Sequence, residues 1–263
     1  MSESFYEEIF GVRGKVALVT GGTRGIGLMI AEGLVKAGAR VYVSSRTVEA
    51  CEETEATLSQ YGDCVAFPSD VATLDGCQQL ADEFASREDH LNILVNNAGV
   101  FWSERIEDFP EKGWDKVMDL DLKTPFFLTQ KLLPLLRKAA FPENRTSVVN
   151  VSSINGLRPT DTQNYSYVAA KAGLGHLSRQ LARDLMADNI NVNVMAPGLF
   201  KSNMTASLFA TGAAEKAVDE SQPMHRTGAM ADAAGLVIYF SSKAGSFVTG
   251  QTIAIDGGAV NTT

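Results

Sequence analysis

Residues 15–27, KVALVTGGTRGIG, decide the fold, because they join a short apolar run to a glycine-rich turn and then to a helical pattern. Gly21, Gly25 and Gly27 have the spacing G-x3-G-x-G. Glycines at such a turn let backbone N–H groups approach a pyrophosphate, and the positive end of the following helix adds to the attraction. Glycine clusters also occur in ordinary turns. This turn, however, follows a predicted strand and precedes a predicted helix, which favours a dinucleotide site. The candidate contacts are Gly21, Thr23, Arg24, Gly25, Ile26 and Gly27.

The same alternation of strand and helix continues along the chain. Its strand-like runs are KVALVT, RVYVSS, CVAFPSD, NILVNNAG, SVVNVSS, NVNVMAPG and TIAIDGG. They are apolar at nearly every residue, as expected of strands covered on both faces. We therefore predict one α/β domain over residues 1–263, a doubly wound parallel sheet of about seven strands with helices on both faces.

The intervening patterns predict helices at 25–37, 47–60, 73–87, 114–139, 162–188 and 230–241. Residues 199–228 break the rhythm, because they insert a long mixed segment between the last two strands. Insertions after strand ends are often lids over a site.

Composition excludes several classes of function. The 263 residues include 23 Lys and Arg against 31 Asp and Glu, a net charge of −8, which is the wrong sign for binding a nucleic-acid backbone. No apolar run is long enough for a membrane span, and the acidic start MSESFYEEIF is unlike a secretory leader. Three scattered cysteines and three scattered histidines lack metal-ligand spacing. We predict a cytoplasmic protein with no nucleic-acid, membrane or metal partner.

The end of the second strand distinguishes between the two nicotinamide dinucleotides. A carboxylate there would bind a ribose 2′-hydroxyl, whereas a cation suits a 2′-phosphate. The run RVYVSSRT offers Ser44, Ser45 and Arg46 but no carboxylate, and Arg24 can supply a second guanidinium. These residues favour NADP(H), although both arginines could also be ordinary surface charges.

Two further strand ends contribute polar groups at the predicted carboxyl edge of the sheet. Asp70, followed by Val71, either accepts a hydrogen bond from an adenine amino group or caps the helix that starts near Thr73. Asn97, Ala98 and Gly99, in the run NNAG, would bring backbone close to a ligand at the same edge.

NYSYVAAKAG, residues 164–173, is the candidate reactive helix. Tyr167 and Lys171 are four residues apart and share a helical face, whereas Tyr165 lies on another. An adjacent ammonium lowers the pKa of a phenol toward the working pH, as general acid–base chemistry requires. The spacing alone is common, but Ser152 and Ser153 end a strand at the same edge, where a hydroxyl could bind a substrate carbonyl.

Taken together, these motifs resemble the short-chain dehydrogenase/reductase family over about residues 14–258. TGGTRGIG, Asp70–Val71, NNAG, the Ser153 region, YVAAK, NVMAPG and IDGG occur in that family's order. The resemblance implies a Rossmann fold, NADP(H), and usually a homotetramer. It also implies that Ser153 positions the carbonyl, Tyr167 donates the proton, and Lys171 lowers the pKa of Tyr167 and holds the nicotinamide ribose. Asn97 would lie by the cofactor, and Pro197 and Gly198 beside the nicotinamide.

One position departs from the family. The family usually has an asparagine that completes a catalytic tetrad, and this chain has Asp121 at that position. In the family, the helix is kinked there, and a main-chain carbonyl at the kink holds a water that relays protons. Aspartate keeps that carbonyl but adds a charge and loses the amide donor. Our hypothesis is that the relay survives, with Asp121 pairing with Lys171 through water and shifting the pH optimum. Impaired turnover is the alternative.

Within the family, the chain is most similar to β-ketoacyl reductases, including the rhamnolipid-associated type. That similarity implies NADPH-dependent reduction of a 3-oxoacyl thioester. Apolar residues are also expected around the mouth, namely Phe101, Trp102, Leu157, Leu199, Phe200, Met204, Leu208 and Phe209. An acyl carrier protein as partner is disfavoured by the net charge and by Asp188, which stands where carrier-binding members have a basic residue. Arg137, Lys138, Arg145 and Arg158 are candidate substitutes, and CoA thioesters and free ketones stay open.

Two alternatives to a carbonyl reductase use the same residues. One is a dehydrogenase of the same family that oxidises a secondary alcohol, such as a polyol or a hydroxysteroid. The other is a nucleotide-binding protein that has lost turnover, for which Asp121 is the only support.

Overall fold

One parallel sheet of seven strands organises the computed structural model, which describes residues 4–262 apart from the side chains of residues 203, 207 and 214. The strands are β1 (Val16–Thr20), β2 (Arg40–Ser45), β3 (Cys64–Pro68), β4 (Ile93–Asn96), β5 (Thr146–Val151), β6 (Ile190–Pro197) and β7 (Thr252–Ile255). Their order is β3-β2-β1-β4-β5-β6-β7, and every neighbouring pair is parallel. The order reverses between β1 and β4, so their carboxyl ends open a crevice of the kind that binds ligands.

Helices connect the strands and cover both faces of the sheet. They are α1 (Phe5–Phe10), α2 (Gly25–Lys36), α3 (Val48–Leu58), α4 (Leu74–Ala85), α5 (Glu111–Met118), α6 (Thr124–Ala139), α7 (Tyr165–Leu185), α8 (Gly212–Ser221) and α9 (Met230–Ser241). The predicted α/β fold is confirmed, and all but one of the predicted helices begin and end close to the predicted residues.

Strand residues alternate between two apolar layers, because successive side chains of a strand point to opposite faces. On one face, Ala17 and Val19 of β1 pack with buried residues of α2 and α9 such as Leu34 and Val237. On the other face, Leu18 packs with buried residues of α4, α6 and α7. Both layers exclude water, which explains why the strands are apolar throughout and why the sheet holds its carboxyl edge rigidly.

The predicted single helix over 114–139 is wrong. The chain forms α5, then a π-helical turn at Asp119–Lys123, and then α6. The backbone N–H of Val100 donates to Asp121 Oδ1 at 2.8 Å, which ties the π turn to the loop after β4. A π turn accommodates an extra residue and is often found at functional sites, and apolar periodicity gives no sign of it.

The segment after β6 is more ordered than its mixed composition indicates. It contains a 3-10 helix at Asn203–Phe209 and then α8. Helix α1 was also not predicted. It has no buried residue, so the apolar periodicity that reveals a packed helix is missing.

Candidate active site

A cavity of about 620 Å³ lies at the carboxyl edge of the sheet. It brings together every residue that the sequence proposed for catalysis or cofactor binding. These are Gly21, Thr23, Arg24, Gly25, Ile26, Gly27, Ser45, Arg46, Asp70, Val71, Asn97, Ala98, Gly99, Asp121, Ser153, Tyr167, Lys171, Pro197 and Gly198. Residues far apart in the sequence therefore meet because the carboxyl ends of β1 to β6 point the same way.

The glycine turn leaves no room for side chains. Gly25 has φ +54°, in the left-handed region that favours glycine. A Cβ atom on Gly27 would lie 2.3 Å from Asn97 Nδ2 and 2.4 Å from the Gly21 carbonyl oxygen. Asn97 itself donates to the carbonyl oxygens of Thr20 and Gly21, at 2.9 and 3.1 Å. The second asparagine of NNAG thus fastens the turn to β4 as well as lining the cavity.

The cavity carries positive charge beside β2. Arg24 precedes α2 and Arg46 follows β2, and both line the cavity next to Ser44 and Ser45. Neither arginine forms an ion pair with any residue among those that the structure describes. Both guanidinium groups are therefore available to an anion, such as a 2′-phosphate.

Asp70 does not cap α4, so the capping alternative is wrong. The cap is Thr73, whose hydroxyl accepts from the Gly76 N–H at 3.0 Å. Asp70 Oδ1 instead accepts a local hydrogen bond from the Ala72 N–H at 3.2 Å. This bond orients the carboxylate at the cavity wall and leaves Oδ2 free of any hydrogen bond to a described residue.

The two serines that end β5 have different roles. The Ser152 hydroxyl is buried and donates to the Lys171 carbonyl oxygen at 2.8 Å, so it joins β5 to α7. The Ser153 side chain accepts from the Asn155 N–H at 3.1 Å and lies close enough to Tyr167 to lower the pKa of its phenol. Both serines line the cavity, but the Ser152 hydroxyl is bound to the Lys171 carbonyl oxygen, whereas Ser153 acts on Tyr167.

Tyr165 and Tyr167 face different surroundings, as the helical spacing predicts. Tyr167 is buried at the cavity wall, with its ring centroid 5.3 Å from that of Phe101. Tyr165 lies 5.6 Å from the ring of Phe109, in a separate shallow pocket of about 510 Å³. Tyr165 therefore packs outside the cavity.

Lys171 is held on two sides. Its Nζ donates to the Val151 carbonyl oxygen at 3.0 Å and lies 3.1 Å from Asp121 Oδ2. The side chains of Lys171 and Asp121 are only 5% and 0% exposed. The contact between them is a direct ion pair, so our expectation that water separates the two groups is wrong. Asp121 Oδ2 has no other polar partner among the described residues.

Burial and these charges determine the protonation of the three groups. Burial raises the pKa of the Tyr167 phenol above its ordinary value, while the Lys171 ammonium lowers this pKa and the Asp121 carboxylate raises it further. Lys171 therefore lowers the pKa of Tyr167, as predicted, but its effect is smaller than that of burial. Burial also disfavours the Lys171 ammonium, but Asp121 and Tyr167 outweigh that effect and raise the Lys171 pKa. Burial raises the pKa of Asp121 against the opposing effect of Lys171.

The predicted apolar mouth is formed only in part. Phe101, Phe200 and Met204 line the cavity, whereas Leu157 and Leu208 are each 45% exposed on the surface. Four polar lining residues were not predicted, namely Ser69, Lys116, Ser202 and Thr205. Ser202 packs against the glycine turn, since a Cβ on Gly25 would lie 3.0 Å from Ser202 Cβ. A hydroxyl shortly after the β6 strand end was a usable signal for Ser202, but nothing in the sequence pointed to Lys116.

Two of the basic residues considered for carrier docking have partners within the chain. Arg137 Nη2 lies 2.8 Å from Asp188 Oδ2. Arg145 donates to the side chains of Asn191 and Asn189 and to the Met186 carbonyl oxygen. Arg137 is thus paired with Asp188, and Arg145 is held by residues near the end of α7. Both arginines are less available to an acidic partner than predicted.

Within residues 4–262, no helix combines the length and apolar character needed to cross a membrane.

The comparisons with known proteins agree with this geometry. A family model described as enoyl-(acyl carrier protein) reductase matches residues 21–260. The chain is 46% identical to the rhamnolipids biosynthesis 3-oxoacyl-[acyl-carrier-protein] reductase of Pseudomonas aeruginosa, over 95% of this chain and 97% of that protein. It is 34% identical to the 2-dehydro-3-deoxy-D-gluconate 5-dehydrogenase of Escherichia coli, over 95% of this chain and 96% of that protein.

Among solved structures, the Pseudomonas aeruginosa RhlG/NADP active-site complex is similar to this chain with a TM-score of 0.92. It is 45% identical in sequence, and the match covers 95% of this chain and 98% of that one.

Proposed function

The chain belongs to the short-chain dehydrogenase/reductase family of oxidoreductases, as its motifs predict, and from this premise we propose that it is an NADPH-dependent carbonyl reductase. Its substrate is a 3-oxoacyl thioester or a similar apolar ketone, and its product is the 3-hydroxy compound. The observation that carries the proposal is the meeting of Ser153, Tyr167 and Lys171 in one cavity with the glycine turn and Arg46.

The residues of the cavity fit NADP(H). Gly21 and Gly25 adopt positive φ values in a turn that lines the cavity, and the β2 end offers Arg46 and Ser45 without a carboxylate. Gly21, Gly25 and Ile26 would hold the pyrophosphate, Arg24 and Arg46 the 2′-phosphate, and Pro197 and Gly198 the nicotinamide side. When bound, NADPH supplies the hydride that the carbonyl carbon accepts.

Three side chains do the remaining chemistry. The Ser153 hydroxyl donates to the substrate carbonyl oxygen and holds it beside the Tyr167 hydroxyl. Tyr167 transfers its proton to that oxygen as the carbonyl carbon is reduced, which converts the C=O bond into C–O–H and leaves a phenolate. The Lys171 ammonium, held by Val151 and Asp121, favours the phenolate while the Asp121 carboxylate opposes it, and solvent then restores the proton.

Two observations support an apolar substrate over a sugar. Phe101, Phe200 and Met204 give the cavity an apolar wall. The 46% identical relative from Pseudomonas aeruginosa is a 3-oxoacyl reductase. The carrier is a separate question: the name of that relative supports an acyl carrier protein, whereas the pairing of Arg137 with Asp188 weighs against one.

A second candidate is oxidation of a secondary alcohol such as a polyol. It is favoured by the 34% identical dehydrogenase from Escherichia coli and by the hydroxyls of Ser202 and Thr205 at the cavity wall. The two candidates share their residues and differ in substrate and in cofactor use.

We also propose that the protein works in the cytoplasm as a homotetramer. The three cysteines are buried and free, which suits a reducing compartment. The tetramer rests on the family expectation, and size-exclusion chromatography with light scattering tests it.

A panel of 3-oxoacyl-CoA thioesters, β-keto esters, aryl ketones and keto sugars, each assayed with NADPH and NADH, tests the function. We expect NADPH consumption with the acyl and apolar ketones. Consumption only with NADH, or with no member of the panel, contradicts the proposal. Calorimetric binding of NADPH without any turnover would identify a nucleotide-binding protein instead.

A further inference from the structure

Asp121 offers its second oxygen to nothing but Lys171. Its Oδ1 accepts the Val100 N–H at 2.8 Å, which fixes the plane of the carboxylate. Its Oδ2 then lies 3.1 Å from Lys171 Nζ and has no hydrogen bond to any other described residue. Asparagine, which the family usually has here, would be uncharged at this position. The carboxylate is therefore a charge added to a closed site.

The added charge acts on Tyr167 through Lys171. The Lys171 Nζ is 5.5 Å from the centroid of the Tyr167 ring and 3.1 Å from Asp121 Oδ2, so it is close to both the phenol and the carboxylate. An isolated ammonium stabilises a phenolate, but an ammonium paired with a carboxylate presents little net charge to a third group. Since Lys171 and Asp121 are both buried, solvent screens this effect only weakly.

No other charge competes at this position within residues 4–262. The π turn also contains Asp119 and Lys123, which pair with each other at 3.1 Å on the surface. Asp188, which follows α7, pairs with Arg137. The charged residues of α5 are all exposed, namely Glu111, Lys112, Asp115 and Lys116, of which Lys116 also lines the cavity. β6 and the turn Ile154–Gly156, which also pack against α7, contain no titratable side chain.

We propose that Asp121 is a positioning residue which, by neutralising Lys171, keeps Tyr167 protonated and extends upward the pH range in which the site donates a proton to a carbonyl. The inference rests on the proposed function, since it assigns Tyr167 as the proton donor. Burial raises the pKa of Tyr167 and Asp121 adds to that rise, in agreement with the geometry.

The test compares pH profiles in both directions for the wild type, Asp121→Asn and the control Asp119→Asn. Reduction needs the phenol, so its rate falls as pH rises through the Tyr167 pKa. Oxidation of the 3-hydroxy product needs the phenolate, so its rate rises through the same pKa. Asp121→Asn is expected to move both midpoints to lower pH by the same amount. Asp119→Asn makes the same chemical change on the surface and is expected to leave both midpoints unchanged.

Unchanged midpoints in Asp121→Asn, or a move to higher pH, would overturn the proposal. A change in rate at all pH values without a change in midpoint would also overturn it, because that result indicates a purely structural role. Asp121→Ser, which is smaller and uncharged, is measured in parallel in case the asparagine variant does not fold.

A second readout does not need turnover. The ultraviolet absorbance of phenolate is titrated in each protein and in the same protein carrying Tyr167→Phe, and the difference isolates Tyr167. In the wild type, Tyr167 is expected to ionise above the ordinary value of about 10, and in the asparagine variant at lower pH. Ionisation of wild-type Tyr167 below that value would overturn the proposal. If no ketone is reduced, the proposed function fails while this titration still tests Asp121.

Discussion

Tyr165 and Tyr167 stand two residues apart on α7, yet one lies in a shallow pocket against Phe109 and the other at the wall of the main cavity, beside Ser153. Their separation follows from helix geometry, because residues two apart do not share a face. The pair provides a matched test of the proton donor within a single turn of helix.

Tyr167→Phe is expected to lower kcat for ketone reduction by about 10²- to 10⁴-fold, the usual contribution of a general acid. NADPH binding is expected to persist, since the glycine turn and Arg46 are untouched. Tyr165→Phe removes the same atom outside the cavity and is expected to keep kcat near the wild-type value. Steady-state kinetics and NADPH titration measure both. Equal losses in the two variants would contradict the assignment of Tyr167.

Arg46→Ala is expected to raise the KM for NADPH by about 10- to 100-fold and to leave kinetics with NADH nearly unchanged. The physical reason is that only NADPH carries a 2′-phosphate, and a hydrogen bond to a charged group contributes about 1.5–3 kcal/mol. Each 1.4 kcal/mol of lost binding free energy weakens the affinity about tenfold. Arg13, 77% exposed and placed before β1 at the opposite edge of the sheet, provides the control Arg13→Ala. A similar loss with NADH, or no loss with NADPH, would show that Arg46 does not select the cofactor.

Stability at high pH depends on Tyr42, away from the site. Its hydroxyl donates to Glu88 Oε1 at 2.7 Å. Burial is the larger cause and this hydrogen bond the second of a rise in the pKa of Tyr42 to about 12. Above the unfolded value of about 10, the unfolded chain releases a proton that the folded chain keeps. Stability from this group is therefore fully present below pH 10 and is lost between about pH 10 and 12.

Tyr42→Phe is expected to remove this part of the pH dependence. At neutral pH it is expected to lower the free energy of unfolding by about 1–3 kcal/mol, because the buried Glu88 loses a donor. Urea unfolding at a series of pH values measures both effects. Tyr61→Phe, at a tyrosine that is 53% exposed, provides the control and is expected to follow the wild type. A Tyr42→Phe curve parallel to the wild type above pH 10 would refute the explanation.

The sequence predicted most of the sheet and nearly all of the cavity, because both depend on local patterns. Alternating apolar runs reveal strands, and a parallel sheet brings their carboxyl ends to one edge, so Gly27, Ser153 and Tyr167 could be placed together without knowing the intervening loops. The choice of Ser153 over Ser152 came from the family resemblance, and in the structure the two hydroxyls have different partners.

The features that the sequence did not predict depend on long-range contacts, which the apolar periodicity of helices and strands does not reveal. The direct pairing of Lys171 with Asp121 requires the π turn at Asp119–Lys123, and its register is set by a backbone N–H from a distant loop. Lys116 and Thr205 enter the cavity from elements whose orientation is decided by packing. The balance of burial against Lys171 at Tyr167 could not be read from spacing, because spacing carries no measure of desolvation.

Gly27→Ala tests whether the glycine turn is required for steric reasons. A Cβ there would lie 2.3 Å from Asn97 Nδ2 and 2.4 Å from the Gly21 carbonyl oxygen, so the turn must open and the bonds from Asn97 must stretch. We expect the free energy of unfolding to fall by about 1–3 kcal/mol, as for overpacked sites, and NADPH affinity to fall with it.

The matched control is Gly235→Ala on α9, where an added Cβ meets nothing within 4 Å among the described residues. Alanine is the better helix former, so this variant is expected to gain about 0.5–1 kcal/mol in stability with unchanged NADPH affinity. Urea unfolding and calorimetric NADPH titration of both variants give the comparison. If Gly27→Ala bound NADPH as tightly as Gly235→Ala does, the phosphate would have to bind elsewhere, because an opened turn cannot present its backbone N–H groups in the same place.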